Sequence, residues 1–230
     1  MKRSTVLITG ASGNLGSAVM TSLYEKGYRL CATFNAQPLA PEVAALAEDI
    51  HQLDLADAVK VQHHVDDLIE RYPDLNAAVL LVGGFVMGGL QETDEEVIDQ
   101  QIQLNFKTAY HVVRSLFPHF ERMNGGQFIL IGARPALEPQ FGKNSIAYTL
   151  SKTLVVQLSG LINALGRGKH IHSTVVVPST IDTAANRASM PKADPATWVK
   201  AADLAETIAF ILSEPGSNLR DSVLKVYHDV

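Results

Sequence analysis

Three glycines near the amino terminus constrain this chain more than any other feature of its sequence. Gly10, Gly13 and Gly16 lie three residues apart, directly after an apolar run at residues 6–8. Apolar residues then recur at helical spacing over residues 15–23. A strand, a glycine turn and a helix start create an anion site, because the first amides of the helix are free and its dipole favours negative charge.

Each glycine of this turn has a separate physical role. Gly10 permits the tight turn, Gly13 lets the backbone approach a pyrophosphate, and Gly16 allows the helix to pack closely on the sheet. Ordinary strand-to-helix loops also contain glycines, so the turn favours a dinucleotide site without establishing one. The residues of the turn that we predict to contact a dinucleotide are Gly10, Ser12, Gly13, Asn14, Leu15 and Gly16.

Strand and helix patterns alternate along the rest of the chain. Residues 77–82 are continuously apolar, as in strands that are buried on both faces of a parallel sheet. The alternation predicts an α/β fold, a single Rossmann-type doubly wound parallel sheet of about seven strands flanked by helices, in one domain over residues 1–230. Residues 180–198 follow a strand and are irregular, small and polar, so we expect a lid there. After the first strand, the predicted strands are residues 28–34, 50–53, 77–82, 127–131, 171–177 and 222–227.

Composition narrows the class of protein. The 230 residues carry a net charge of −5, which offers no basic surface for nucleic acid or anionic lipid. No apolar run is long enough to span a membrane, and residues 1–3 lead into the first strand without a signal-peptide pattern. The single cysteine, Cys31, fits a reducing compartment. We therefore expect a cytoplasmic protein whose partner is a small molecule and neither nucleic acid nor a membrane.

The histidines do not predict a metal site. His63 and His64 lie in a helix of mixed polarity, and His170 and His172 lie near the start of a strand. Neither pair has partners at the spacing of metal ligands, so we expect no metal.

A tyrosine and a lysine supply the first catalytic chemistry in the sequence. Tyr148 and Lys152 are four residues apart in a predicted helix over residues 148–165, so their side chains share one face. A tyrosine ordinarily has a pKa of about 10, and a neighbouring ammonium lowers that pKa by stabilising the phenolate. We therefore expect Tyr148 to exchange a proton near neutral pH. Tyrosine and lysine pairs of this spacing are also common on helix surfaces. Only together with the glycine turn does this pair favour a catalytic role.

The turn and the pair together resemble the short-chain dehydrogenase/reductase family over essentially the whole chain. The resemblance implies hydride transfer to or from a nicotinamide cofactor, NAD or NADP, bound over the carboxyl edge of the sheet. The matching positions are Thr9-Gly10-x-x-Gly13-x-x-Gly16, Asp54 after the third strand, Gly83-Gly84 after the fourth, Asn105 in the central helix and Tyr148-x-x-x-Lys152.

The resemblance also implies roles for individual residues. Tyr148 is then the general acid in reduction, Lys152 holds the nicotinamide ribose and tunes Tyr148, and Asn105 anchors a water that relays protons. Asp54 and Leu55 flank the adenine. Because the two central helices commonly form an interface in this family, we expect a homodimer or homotetramer. The remaining positions implied to contact the cofactor are Phe34, Asn35, Gly83, Gly84, Pro178 and Thr180.

Three departures from the family pattern bear on substrate and cofactor. Many members place a serine thirteen residues before the tyrosine to hold the substrate carbonyl, and here that position is Pro135. Either Arg134 or the backbone substitutes for it, or the substrate needs no such donor.

The turn carries Asn14 where many members carry glycine. Phe34 and Asn35 replace the acid that binds a ribose 2′-hydroxyl and repels a 2′-phosphate, which permits NADP and makes us favour it slightly.

A narrower resemblance, to the dihydropteridine reductases within this family, accounts for the missing serine. It implies a planar conjugated substrate such as a quinonoid dihydropterin, which accepts hydride without a carbonyl held by serine. The alternatives are a carbonyl or alcohol oxidoreductase of another small molecule and a non-catalytic, NAD(P)-sensing regulatory protein. The narrower resemblance is carried by Val82-Gly83-Gly84-Phe85 with Gly88-Gly89, by Gly132-Ala133-x-x-Ala136-Leu137, and by the run from Pro178 to Trp198.

Three local patterns predict helix ends. Thr93 followed by Glu96 is a capping-box pattern and opens a long helical region that reaches residue 120. Pro118 should kink that region or cut it near its end. Ser145 is expected to cap the helix that follows it.

Overall fold

Strands and helices alternate through residues 4–219 and 222–228, which the computed structural model describes. The predicted passage of residues 1–3 into the first strand lies outside the described residues. The strands are β1 Thr5–Thr9, β2 Arg29–Phe34, β3 Asp49–Gln52, β4 Leu75–Leu80, β5 Gly126–Ile131, β6 Ile171–Pro178, β7 Ile181–Asp182, β8 Val199–Lys200 and β9 Val223–Val226. The α-helices are α1 Asn14–Glu25, α2 Pro41–Ala44, α3 Ala58–Arg71, α4 Glu95–Ile102, α5 Thr108–Met123, α6 Arg134–Leu137, α7 Ile146–Leu165, α8 Ala184–Ser189 and α9 Ala201–Leu212.

Seven of these strands form one sheet in the order β3-β2-β1-β4-β5-β6-β9. Every neighbouring pair is parallel. After β3 the chain returns to the middle of the sheet, so the strand order reverses between β1 and β4. Connections leave such a point in opposite directions and open a crevice at the carboxyl ends of the strands, where open α/β sheets bind ligands. The predicted doubly wound, seven-stranded sheet is confirmed.

Apolar side chains fill the space on both faces of the sheet. Along β1, Leu7 points into a layer that it shares with α3, α5 and α7. Its neighbours Val6 and Ile8 point into the opposite layer, with α1 and α9. Because helices cover both faces, the central strands have no solvent-facing side, and this is why their sequences are apolar without alternation.

The region predicted as one long helix consists of three consecutive helical segments. α4 runs into a π-helical turn at Gln103–Lys107, and α5 begins directly after it. α5 continues past Pro118 to Met123, so the proline does not end the helix. π-Helical turns are rare and are frequently found at functional sites. This turn contains Asn105, one of the predicted catalytic residues.

Two of the predicted caps have different partners in the structure. α4 is capped by Asp94 rather than Thr93, since the Asp94 carboxylate accepts the amide of Val97 at 2.9 Å. The Thr93 hydroxyl instead donates to the carbonyl of Gly89 at 2.8 Å. A carboxylate also complements the helix dipole, which favours it over a hydroxyl as the cap. Ser145 precedes α7 as predicted, but its side chain makes no capping hydrogen bond within the described residues.

Residues 180–198, predicted to be irregular, contain local structure. β7 and β8 pair in parallel as a separate two-stranded ladder, and α8 lies between them along the chain. The Thr183 hydroxyl caps α8 by accepting the amide of Asn186 at 3.1 Å. Arg187 pairs with Asp182 at 2.6 Å. The segment therefore leaves the carboxyl end of β6 with its own short elements and hydrogen bonds.

Neither the single cysteine nor the other candidate metal ligands form a site among the described residues. Cys31 is buried in β2, and burial raises the pKa of its thiol to about 12. Within the described ranges, no three histidine, cysteine, aspartate or glutamate side chains converge as metal ligands. Among the same residues, no helix combines the length and apolar character needed to cross a bilayer.

His64 makes the packing of α3 sensitive to acid. It is 8% exposed and stacks on His51, with ring centroids 4.5 Å apart. Burial, and then the neighbouring His51 ring, lower the pKa of His64 from 6.5 to about 4. The unfolded chain takes up this proton near pH 6.5 and the folded chain does not. The free energy of unfolding should therefore fall as pH drops from 6.5 towards 4, by up to about 3 kcal/mol.

Denaturant unfolding between pH 7 and pH 4 measures this dependence. In His64→Gln the slope with pH should be much smaller than in the wild-type protein. His63→Gln is the matched control, because His63 is exposed on the same helix, and its slope should equal that of the wild type. An undiminished slope in His64→Gln would contradict the assignment.

Candidate active site

The glycine turn after β1 has the backbone that the sequence predicts. Gly10 has a φ of +69°, in the left-handed region that favours glycine. The amide of Gly13 donates to the carbonyl of Gly10 at 3.1 Å and closes the turn. A Cβ on Gly16 would lie 2.8 Å from Cα of Ala11, inside van der Waals contact. The absence of a side chain at Gly16 is therefore what lets α1 approach the turn.

The start of α1 leaves backbone amides for a ligand. The first hydrogen bond of the helix runs from the amide of Ser17 to the carbonyl of Gly13 at 2.8 Å. The amides of Asn14, Leu15 and Gly16 precede it and have no carbonyl one turn back within the helix. No side chain of the described residues caps α1. These amides and the positive end of the helix dipole fit a pyrophosphate.

A cavity of about 600 Å³ lies at the reversal of strand order, between the carboxyl ends of β1 and β2 and the region of α4 and α5. The predicted cofactor residues that line it are Gly10, Phe34, Asn35, Asp54 and Leu55. The residues that sequence reasoning missed are Thr33, Leu53, Ala56, Val82, Asp99, Gln100, Gln103, Leu104, Lys107 and Thr108. Most of the missed residues come from the helical region after β4, whose approach to the ends of β2 and β3 no local pattern shows.

The other predicted cofactor residues lie outside this cavity, along the same edge of the sheet. Ser12 belongs to the turn at the start of α1, and Gly83 and Gly84 follow β4. Pro178 is the last residue of β6. Thr180 begins the excursion beyond β6, where its carbonyl accepts the amide of Val199 at 2.9 Å.

The carboxyl end of β2 carries no charge. Phe34 is half-buried against the apolar layer of α1 and α9. The backbone carbonyl of Asn35 accepts a hydrogen bond from the Gln52 side chain at 2.9 Å. The nearby Asp54 carboxylate accepts the amide of Ala56 at 2.9 Å and so belongs to a local turn. Phe34 and Asn35 therefore place no charge at this end of the cavity.

Helix α7 presents Tyr148 and Lys152 on one face at the carboxyl edge. Lys152 is 5% exposed, and its Nζ donates to the carbonyl of Ile131, the last residue of β5, at 2.9 Å. The ring of Tyr148 packs edge-to-face against Phe85, with centroids 4.9 Å apart and planes at 78°. Because Phe85 follows β4, the tyrosine and the lysine connect the ends of two adjacent central strands.

The predicted lowering of the Tyr148 pKa is wrong for this structure. Burial raises the pKa of Tyr148 to about 12. Burial also lowers the pKa of Lys152 to about 8. The ammonium of Lys152 bonds to the Ile131 carbonyl rather than to the phenol, so it does not offset the desolvation of the phenolate. At pH 7 Tyr148 is therefore a neutral proton donor, and most of the Lys152 side chains carry a charge.

Asn105 lies in the π-helical turn and is 1% exposed. Its Oδ1 accepts the amide of Gly84 at 2.9 Å, and its Nδ2 donates to the carbonyl of the same residue at 3.0 Å. Nδ2 also contacts Gln101 Oε1 at 3.0 Å and Ser151 Oγ at 3.1 Å. The carboxamide thus ties the loop after β4 to α7, and its nitrogen has no hydrogen left for a ligand.

Gly83 is the point where two of the predicted catalytic residues, Asn105 and Lys152, meet. A Cβ on Gly83 would lie 2.7 Å from Asn105 Oδ1 and 3.1 Å from Lys152 Nζ. A larger residue would push both polar groups apart. The structure therefore brings together Asn105, Gly83 and Lys152, which the sequence places in three separate segments.

The position of the missing serine, Pro135, lies in α6 beside an arginine that is already engaged. Nε of Arg134 contacts the Glu138 carboxylate at 3.2 Å. Its guanidinium carbon lies 3.8 Å from the ring centroid of Phe141 and 4.9 Å from that of Tyr227. Arg134 is one of the substitutes for serine that the sequence suggests. Its guanidinium already contacts two aromatic rings and a carboxylate.

A family model described as short chain dehydrogenase matches residues 4–194 of the chain. The chain belongs to the short-chain dehydrogenase family. It is accordingly an NAD(P)-dependent oxidoreductase.

Individual relatives cover nearly the whole chain. YmfI of Bacillus subtilis (strain 168), named as an uncharacterized oxidoreductase, is 26% identical over 243 residues, with 96% of each chain covered. A similarly named protein of Staphylococcus aureus (strain MW2) is 25% identical, covering 91% of this chain and 90% of its own. A short-chain dehydrogenase/reductase from Serratia marcescens BCRC 10948 superposes with a TM-score of 0.87 at 22% identity, covering 98% of this chain and 96% of its own. The structure of ElxO with NADP bound gives a TM-score of 0.89 at 21% identity and 97% coverage of both chains.

Replacing Gly16 by alanine should weaken NAD(P)H binding at least tenfold, because the added Cβ would move α1 away from the turn. Gly160→Ala is the matched control, since a Cβ at this position in α7 meets nothing within 4 Å. That control should keep its affinity and gain about 0.5–1 kcal/mol in free energy of unfolding. Fluorescence titration with NADH and NADPH measures the affinities. Wild-type affinity in Gly16→Ala would contradict the role of the close approach.

The activity should depend on pH through Lys152. With its pKa at about 8, the ammonium is lost above that pH, so kcat/KM for reduction should fall above pH 8. Tyr148, with its pKa at about 12, should still be protonated there. Difference absorbance at 295 nm between the wild type and Tyr148→Phe separates the two groups. Formation of a Tyr148 phenolate below pH 10 would show that the tyrosine, not the lysine, causes the loss.

Proposed function

We propose that the protein is an NAD(P)H-dependent reductase that delivers a hydride to a small organic substrate. The observation that carries the proposal is the convergence of Lys152 and Asn105 on Gly83, with Tyr148 on the same helix face as Lys152. The glycine turn lies along the same edge of the sheet. A protein that only senses the cofactor has no use for a proton donor, so the arrangement favours catalysis.

In the proposed reaction the cofactor, when bound, supplies the hydride. The amides at the start of α1 hold its pyrophosphate, and the 600 Å³ cavity holds its adenosine half. Lys152 orients the nicotinamide ribose with its ammonium.

Tyr148 delivers the proton that accompanies the hydride. The phenol is protonated at neutral pH and donates to the substrate atom that becomes negative. Asn105 positions the proton relay that refills the phenol. Its nitrogen is fully used, so Oδ1 and the neighbouring backbone carbonyls are the groups that hold a water there.

NADP is the cofactor that we favour. The end of β2, at Phe34 and Asn35, carries no carboxylate to repel a 2′-phosphate. ElxO, whose fold this chain shares, binds NADP in its solved structure. NAD stays the alternative, because no arginine at the end of β2 selects the phosphate.

A planar conjugated ring, of which a quinonoid dihydropterin is the example, is the substrate class that we propose. Such a ring needs no serine to hold a single carbonyl, and Pro135 occupies the serine position. Phe85 is 62% exposed while its ring touches that of Tyr148, so it offers an aromatic surface beside the proton donor. The motifs that resemble dihydropteridine reductase agree with this choice. A carbonyl compound is the alternative substrate.

We further propose how the active protein is organised. Residues 1–230 form one domain, and residues 180–198 act as a lid over the substrate. Exposed apolar side chains on the two central helices, such as Tyr110 on α5 and Leu161 on α7, support assembly into a homodimer or homotetramer through those helices. The lone buried Cys31 agrees with a cytoplasmic location.

The proposed function predicts turnover that depends on the Tyr148 hydroxyl. The purified protein should oxidise NADPH when given quinonoid dihydropterin or a member of a panel of small carbonyl compounds. Tyr148→Phe keeps the ring that packs on Phe85 and removes only the proton donor. We expect its kcat to fall by at least 10², within the usual range for general acid catalysis, with little change in NADPH affinity.

Absorbance at 340 nm follows turnover, and fluorescence titration follows cofactor binding. Turnover of carbonyl compounds alone would replace the dihydropterin by the alternative substrate class. Tight NADPH binding without turnover of any substrate would support the cofactor-sensing protein instead. Full activity in Tyr148→Phe would remove the tyrosine from the reaction.

A further inference from the structure

The carboxamide nitrogen of Asn105 has more hydrogen-bond acceptors around it than hydrogens to give them. Its Nδ2 carries two hydrogens. Among the described residues it contacts three acceptors, which are the carbonyl of Gly84 at 3.0 Å, Oε1 of Gln101 at 3.0 Å and Oγ of Ser151 at 3.1 Å. Two hydrogens cannot serve three acceptors at full strength, so one acceptor is surplus.

Each of the three partners faces Asn105 with a lone pair. The Gly84 group is a carbonyl, and the Gln101 atom is the oxygen of its carboxamide. The Ser151 hydroxyl does have a hydrogen, but it donates that hydrogen to the carbonyl of Tyr148 at 2.7 Å. Its oxygen is therefore left to accept from Asn105. The surplus thus follows from the chemistry of each group.

The side chains of this network are buried. Asn105 is 1% exposed, Gln101 is 8% exposed and Ser151 is fully buried. A buried N–H without a partner is costly, because it has lost its water and gained no bond in exchange. With three acceptors in reach, Nδ2 keeps both of its hydrogens bonded after the loss of any one acceptor. The surplus therefore secures the orientation of the carboxamide.

The two side-chain acceptors come from different helices. Gln101 lies on α4, four residues before Asn105, and Ser151 lies on α7. Because they are carried by separate elements, one of them stays in place when the other is removed. Oδ1, the other polar atom of the carboxamide, then continues to accept the amide of Gly84 at 2.9 Å.

We propose that Gln101 and Ser151 are interchangeable positioning residues, which together hold Oδ1 of Asn105 in place for the proton relay. The proposal rests on the proposed function, because that function gives Asn105 its part in the relay. Both residues act on the reaction through Asn105. Loss of either one should therefore have a small effect, whereas loss of both should have an effect larger than the two combined.

A double-mutant cycle at pH 7 tests the proposal with a substrate that the wild-type protein reduces. Gln101→Met and Ser151→Ala each remove one acceptor, and each should lower kcat less than about threefold, because two acceptors remain. The double variant leaves one hydrogen of Nδ2 unpaired, so its kcat should fall at least about tenfold beyond the product of the single effects. The KM for NADPH should change less than about twofold throughout. Single effects that simply multiply would overturn the proposal.

The matched control is the double variant Gln127→Met with Ser159→Ala, which loses two hydrogen bonds elsewhere. Nε2 of Gln127 donates to the carbonyl of Ile211 at 3.1 Å, and the Ser159 hydroxyl donates to Oγ of Ser173 at 2.9 Å. This control should keep kcat within about twofold even where thermal unfolding shows lower stability. If it loses as much kcat as the test variant, lost stability is the cause and the proposal fails.

Gln101→Glu supplies a rescue that depends on the acceptor rather than on packing. Its carboxylate oxygen takes the place of the carboxamide oxygen and also accepts a hydrogen bond. Combined with Ser151→Ala, it should keep kcat within about threefold of Ser151→Ala alone. A loss as large as that of Gln101→Met with Ser151→Ala would show that the acceptor is not what matters at residue 101.

Solvent exchange of the two Nδ2 hydrogens, followed by NMR on isotopically labelled protein, needs no substrate. The signals are identified by their loss in Asn105→Asp. Both hydrogens should exchange slowly in the wild type and in each single variant, and one should exchange rapidly in the double variant. Rapid exchange in either single variant would overturn the proposal, even if the double variant does not fold. A wild-type protein that reduces no substrate would instead refute the proposed function, and the exchange rates would still test whether the acceptors are interchangeable.

Discussion

The close approach of α1 to the turn before it is the constraint on which the site depends. Without a side chain at Gly16, the helix starts directly against the backbone of Gly10 and Ala11. That contact fixes where the first amides of the helix lie relative to the end of β1. The phosphate end of the site is therefore built entirely from backbone, and the helix needs no polar side chain of its own there.

The chemical end of the site is built by the opposite means, from side chains that are buried or half-buried. Tyr148 and Lys152 both lose solvation, and each is shifted towards its neutral form. The carbonyl of Ile131 and the carboxamide of Asn105 hold the surrounding groups in place. A neutral phenol can give a proton away, whereas a phenolate can only accept one.

Much of this arrangement is predictable from the sequence, because it rests on local periodicity. The parallel sheet follows from apolar runs and their alternation with helices, and the shared face of Tyr148 and Lys152 follows from a spacing of four. The Tyr148 pKa was predicted in the wrong direction, because spacing along a helix does not show that Lys152 bonds to Ile131. The Asp94 cap, the π-helical turn and the walls of the cavity depend on contacts between distant segments, for which the sequence carries no local signal.

Arg134 stacks on Phe141 and on Tyr227, and these contacts link α6 to the residue that follows β9. Tyr227 directly follows β9, while Arg134 directly precedes Pro135, which stands where many members of the family carry a serine. The two residues share the Glu138 neighbourhood, so the energetic effects of changing them should not add. A change of residue 227 should therefore alter the packing of Arg134 and α6, and the two positions are expected to vary together among close relatives.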